Sequence, residues 1–156
     1  MKPIVTKINI AAPPDTVRAE LLDFPSLEIY KPPFIRSIKP IDTQKNPIDL
    51  TPGDKLRCDL DGRVLLATIQ ENSPTALIWT GTVAGVLHGT HSFRFVSSDG
   101  GETTTLHHEE LFTGGFSFLL SENLVARVIG QRAYIEKSYG AFNESFKKWV
   151  ESRVDK

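Results

Sequence analysis

The sequence predicts an α+β domain in which a curved antiparallel sheet of about seven strands lies against one long C-terminal helix, with two short helices after the first strand. Three observations predict it. Short runs of alternating apolar and polar residues are separated by turn residues, as half-buried strands and hairpins require. A single apolar stripe at helical spacing runs through residues 121–153. Glycines punctuate the strands that must bend.

The first strand is read from Ile4, Val5, Ile8 and Ile10, and it stops at Pro13 and Pro14. Two prolines followed by Asp15 signal a helix start, because proline is tolerated in the first turn and a carboxylate there suits the helix dipole. Val17, Leu21 and Leu22 carry that helix to Asp23. Pro25 ends it, and Ser26 to Tyr30 form a second short helix before Pro32 and Pro33. From Phe34 the period changes to two. Residues 34–41 form one strand, and in residues 55–60 Leu56, Cys58 and Leu60 alternate with Lys55, Arg57 and Asp59. Residues 63–70 and 75–83 flank an Asn72, Ser73, Pro74 turn and read as a hairpin.

The last hairpin, residues 79–95 with 104–115, carries the chemistry. A two-residue turn at Asp99 and Gly100 sets His91 opposite His108, Phe93 opposite Leu106 and Gly89 opposite Glu110; a turn at Gly100 and Gly101 keeps the same parity. One face then holds Leu87, His91, Phe93, Phe95, Leu106, His108, Glu110 and Phe112, and points inward. The other, with His88, Thr90, Ser92, Arg94, Thr105, His107 and Glu109, points to water. Unpaired polar groups on an inner face cost about 1 to 3 kcal/mol each, so the two imidazoles and the carboxyl group are expected to line a cavity.

The long helix follows from Leu124, Val128, Ile135, Tyr139, Phe142, Phe146 and Trp149, spaced by three, four or seven. Gly130 and Gly140 within it imply a kink or a close approach. Gly81, Gly85 and Gly89 are expected to bend their strands inward, and Gly114 and Gly115 to allow a sharp turn before the helix. Arg132 lies near the stripe and reads as a solvated side chain or a partner for a carboxylate.

Composition narrows the function. With 156 residues the chain has the size of one domain, taken as residues 1–156, and 18 basic against 19 acidic residues leave a formal charge of -1. That balance lacks the basic footprint of a nucleic-acid binder. No segment approaches a membrane span or the apolar core of a signal peptide, so no stable membrane insertion is expected and the cytoplasm is the expected location. The one cysteine, Cys58, sits between Leu56 and Leu60 and reads as a buried, inert thiol. Homodimer formation is left open.

The order of elements and several local motifs together resemble the SRPBCC superfamily, also called START-like or Bet v 1-like, and within it the polyketide cyclase/dehydrase proteins. The motifs are Trp79 with Gly81, the run Gly89, His91, Phe93, the run Glu110, Phe112, Gly114, and residues 141–151, AFNESFKKWVE, where Phe142 precedes Asn143 and Phe146 precedes Lys147. The resemblance covers essentially the whole chain. It implies the helix-grip fold and a deep pocket between sheet and helix for lipids, sterols, hormones, polyketides or other apolar molecules, with cyclisation, dehydration or hydrolysis in some members. Fold alone does not choose among these.

The first reading is therefore binding of a hydrophobic or aromatic small molecule, with Trp79, Phe93, Phe95, Leu106, Phe112, Tyr139, Phe142 and Asn143 as ligand-binding residues. The alternative is a cyclase or dehydratase without cofactor. In it Glu110 or His108 removes a proton alpha to a carbonyl, while His91 donates a hydrogen bond to the developing enolate. The same three groups also suit a purely structural hydrogen-bond network around buried water. Two histidines and a carboxylate are a ligand set for zinc or non-haem iron, but no helical His spacing or supporting carboxylate accompanies them, so no metal is assigned. An interaction module of this fold instead requires a filled interior and an exposed apolar patch.

Overall fold

The computed structural model describes residues 2–83, 85–114 and 127–155. Strand β1 (Ile4–Ile10) is followed by α1 (Pro14–Leu22), a 3₁₀ turn at Phe24–Ser26 and α2 (Leu27–Tyr30). Strands β2 (Ile35–Pro40), β3 (Lys55–Leu60), β4 (Arg63–Asn72), β5 (Ala76–Val83), β6 (Leu87–Ser98) and β7 (Thr103–Gly114) then precede α3 (Arg127–Val154). The sheet order is β1-β7-β6-β5-β4-β3-β2, and every neighbouring pair is antiparallel. Sequential strands pair because short turns leave them no other neighbour; β1 alone crosses to the far side and pairs with β7.

The alternation read in β3 holds, with Leu56 and Cys58 buried and Lys55 and Arg57 exposed. Burial pushes the Cys58 thiol up to about 12, so it stays protonated and inert. The β6–β7 register is that of the turn at Gly100 and Gly101, not at Asp99 and Gly100, so His91 faces Glu110, Phe93 faces His108 and Gly89 faces Phe112, although four residues rather than two lie outside the last pair, Ser98 with Thr103. The wider loop is held by side chains: the hydroxyls of Ser98 and Thr103 are 2.8 Å apart, and Thr103 Oγ1 donates to Asp99 Oδ2 at 3.0 Å. Left-handed backbone at Asp99, Gly100 and Gly101 accommodates it. Parity survives because the slip is two residues. Ser92, expected in water, is buried, and His107 is half-buried.

Helix α3 runs alongside β1 and covers its free edge. Arg132 donates to the carbonyls of Lys2 and Pro3, Lys147 donates to the carbonyl of Asn9, and the Ala11 N–H donates to Glu151 Oε1. Edge groups left open would template pairing with another chain; here side chains of the helix occupy them. Arg132 thus meets carbonyls rather than a carboxylate. The expected start of α3 near Ser121, with Leu124, lies outside the described residues, as do Phe116, Phe118 and Gly115. Among the described residues nothing comes within 4 Å of where a Cβ at Gly130 or Gly140 would stand, so no close approach is seen there, and one continuous helix runs through both. Gly85 belongs to the β5–β6 turn, at φ +73°, rather than to a bent strand.

Packing is uneven along the helix. From Tyr139 onward, Tyr139, Phe142, Phe146 and Val150 are fully buried against Ile10, Leu77, Phe93 and Leu106. Before it, Ile135 on the same stripe is only half-buried and its neighbours are exposed. The core therefore fills the end of the sheet near the β6–β7 loop, closed by α1. Phe146→Ala is expected to destabilise by about 3 to 5 kcal/mol, whereas Ile29→Ala, at a residue 70% exposed, changes stability by less than about 0.5 kcal/mol. Urea unfolding of both variants checks the contrast.

Candidate functional site

A chain of buried polar groups crosses the apolar concave face where the solid packing ends. Glu110 Oε2 lies 3.2 Å from His91 Nδ1, and His91 Nε2 lies 2.7 Å from His108 Nε2. His108 Nδ1 reaches Asn143 Oδ1 at 2.8 Å, Asn143 Nδ2 donates to Thr6 Oγ1 at 2.9 Å, and the Thr6 hydroxyl donates to the His108 carbonyl at 3.2 Å. Four elements contribute: β1, β6, β7 and α3. His91, His108 and Asn143 are almost wholly buried, while Glu110 keeps 8% exposure.

Aromatic rings fix both imidazoles. Trp79 stacks on His91 with centroids 4.9 Å apart and planes 8° from parallel, and Tyr139 stacks on His108 at 4.2 Å and 15°. Phe93 and Phe142 flank His108. Burial first, and then the neighbouring His91, hold His108 well below the usual imidazole value of 6.5, against the opposing pull of Asn143.

Beside this wall, cross-strand partners Phe112, Gly89, Gly81, Ala67 and Leu56 form one row over five strands, with three consecutive small residues in its middle. A side chain at Gly89 would collide with Glu110 Oε1, so the absence of a Cβ there is what lets the carboxylate lie over β6. Leu65 reaches over Gly81 in the same way. Half-buried Leu60, Leu65, Leu87, Phe112 and Ile135 give the surroundings an apolar character. The Tyr139 hydroxyl is buried and has no hydrogen-bond partner among the described residues.

The structure thus brings His91, His108 and Glu110 together with Trp79, Phe93, Tyr139, Phe142 and Asn143. Phe95 and Leu106 pair with each other one step nearer the β6–β7 loop, inside the packed core, and half-buried Phe112 pairs with Gly89. Direct opposition of the two histidines is replaced by a diagonal contact. Their Nε2 atoms are too close to hold an ion between them, since two ligands of a tetrahedral zinc stand about 3.3 Å apart at ordinary bond lengths. Among the described residues no group of three or more His, Cys, Asp or Glu is placed to hold a metal. Thr6 is the participant that sequence reading missed, although it shares the parity of Ile4, Ile8 and Ile10.

A sheet gripping a long helix, with a polar chain set into its concave face, defines a START-like domain of helix-grip architecture. The chain belongs to the family described as polyketide cyclase / dehydrase and lipid transport, whose profile matches residues 1–151. No curated protein matches it in sequence. Among solved structures it is similar to a hypothetical protein from Helicobacter pylori, at 14% identity and TM-score 0.71, covering 96% of this chain and 88% of the other. It is also similar to the Zhui aromatase/cyclase from a Streptomyces species, at 19% identity and TM-score 0.68, covering 98% and 95%. A START superfamily protein from Mycobacterium smegmatis matches at 15% identity and TM-score 0.62, covering 98% and 97%. These likenesses show the fold. Family membership supports a hydrophobic-ligand or cyclase role, and no helix among the described residues is long and apolar enough to cross a membrane.

The depressed His108 pKa has a consequence for stability. Above pH 6.5 the imidazole is neutral in both folded and unfolded chains, and it contributes no pH dependence. Below that value the unfolded chain takes up a proton that the folded one refuses, so stability falls as pH falls, by up to about 1.4 kcal/mol per pH unit for this group. Urea unfolding at stepwise lower pH is expected to show this slope, reduced by about one proton in His108→Gln.

Proposed function

We propose that the domain binds a hydrophobic, polyketide-like or lipid-like small molecule in the recess between the sheet and the N-terminal half of α3. The observation that carries this reading is the Tyr139 hydroxyl, buried and without a partner among the described residues. An unsatisfied buried hydroxyl costs about 1 to 3 kcal/mol, and a ligand oxygen seated in the recess relieves that cost. The apolar rim of Leu60, Leu65, Phe112 and Ile135 suits the rest of such a ligand. The cytoplasm remains the proposed compartment, in keeping with a single reduced thiol.

The second reading is a cofactor-independent cyclase or dehydratase, and the Glu110 carboxyl group favours it. One oxygen rests on His91 and the other lies over Gly89, where it can exchange a proton with a bound carbonyl compound. The aromatase/cyclase named above has the same fold, which makes an aromatic polyketide the first substrate class to try.

Native mass spectrometry of the purified protein is expected to reveal a retained apolar molecule, and naphthol is expected to compete with it. Tyr139→Phe should weaken naphthol binding by up to about tenfold, the worth of one hydrogen bond, without loss of stability. Lower stability with unchanged affinity would show that the hydroxyl serves the fold. For the catalytic reading, Glu110→Gln and His91→Ala should each lower turnover of a polyketide mimic by about 10² to 10⁴; undiminished turnover in both rejects it.

A further inference from the structure

The buried polar chain has a direction. Asn143 Nδ2 donates to Thr6, and the single Thr6 hydroxyl hydrogen goes to the His108 carbonyl. That leaves Asn143 Oδ1, which only accepts, facing His108 Nδ1 at 2.8 Å, so Nδ1 carries a hydrogen. A fully buried neutral His108 then has a bare Nε2, and His91 Nε2, 2.7 Å away, must donate to it. What remains is His91 Nδ1 against Glu110 Oε2. Between them they hold one proton, either as a carboxyl group on a neutral imidazole or as an imidazolium on a carboxylate.

We propose that Thr6 and Asn143 are positioning residues that lock His108 as a permanent acceptor, so that the one proton shared by Glu110 and His91 stays between Oε2 and Nδ1 and Glu110 Oε1 is left to accept a proton from the ligand. The inference rests on the ligand-binding reading of the recess and deepens it. It also changes the roles expected from sequence: His108 has no free lone pair with which to act as base. In the ionised form, Glu110 Oε1 accepts a proton from an acidic C–H or O–H of the ligand. The carboxylate becomes a carboxyl group, the electron pair of the broken bond stays on the ligand as an enolate or phenolate, and the His91 imidazolium balances its charge.

The buried titratable groups around the pair are His108 on β7 and Tyr139 on α3; Trp79 on β5 and Ile4 on β1 face it without charge. The opposite direction of the chain requires the Asn143 amide to turn over and takes the Thr6 hydroxyl off the His108 carbonyl. That arrangement is distinguishable because it moves the hydrogen of His108 from Nδ1 to Nε2.

The test is long-range proton–nitrogen NMR of protein carrying ¹⁵N-labelled histidine, without added ligand, over about pH 5 to 8. His108 is expected as the neutral Nδ1–H tautomer throughout. Glu110→Gln puts an amide donor against His91 Nδ1 and should fix His91 as the Nε2–H tautomer with that of His108 unchanged. Thr6→Val frees the amide and should bring in the Nε2–H form of His108, while Thr6→Ser restores the wild-type pattern. An Nε2–H tautomer of His108 in the wild type, or tautomers unmoved by Thr6→Val, would overturn the proposal. Either result leaves naphthol binding untouched, whereas failure of naphthol to bind would sink the binding reading and leave the tautomers standing.

Discussion

The contact between the two imidazoles, Nε2 to Nε2 at 2.7 Å, is the constraint on which the rest of the structure depends. Two ring nitrogens this close in an apolar interior are tolerable only if one donates and the other accepts. A buried polar group without a partner is expensive, and a network that is only partly satisfied is worse than an apolar core. The choice of donor propagates outward in both directions: to Asn143 on α3 and Thr6 on β1, and to Glu110 at the recess. Register and helix docking are thereby tied together. A slip of β7 by one residue would turn His108 and Glu110 to solvent, and a shift of α3 along β1 would take Asn143 from Thr6.

The placement of Glu110 follows from the same strands. Aromatic rings occupy the row through Trp79, His91 and Glu110, and the next row carries Gly81 and Gly89. The missing side chains leave room for Glu110 to lie over Gly89 and Leu65 over Gly81. The helix matches this division. Its C-terminal half buries Phe142, Phe146 and Val150, and its ties to β1 hold the edge of the sheet. Trp149 and Arg153 anchor it to Glu20 of α1, so the end of the helix beside α1 is braced.

Much of the fold was legible because its signals are local. Alternation at Leu56, Cys58 and Leu60, and the Pro14 helix start, depend on neighbours a few residues away. The inward set of the last hairpin was legible for a different reason: side-chain period two makes face assignment immune to a two-residue error in register. The choice between the two turn positions was not legible, since the loop geometry is decided by hydroxyl bonds between Ser98, Thr103 and Asp99 that compete with the turn preference of Asp99 and Gly100. Of the candidate site, His91, His108, Glu110 and Asn143 could be picked out by polarity on apolar faces. Thr6 escaped because a threonine between Val5 and Lys7 looks like an exposed strand residue, and only its parity with three isoleucines marks it as inward. Which imidazole donates could not be read at all, since it depends on a contact between residues 137 positions apart.

The most direct measurement is a high-resolution crystal structure of the protein as isolated, examined at the Tyr139 hydroxyl and Glu110 Oε1. The account predicts an apolar molecule beside the Gly81 and Gly89 row, with an oxygen within hydrogen-bond distance of the Tyr139 hydroxyl. A recess filled by the protein's own side chains, with that hydroxyl bonded to one of them, would contradict it.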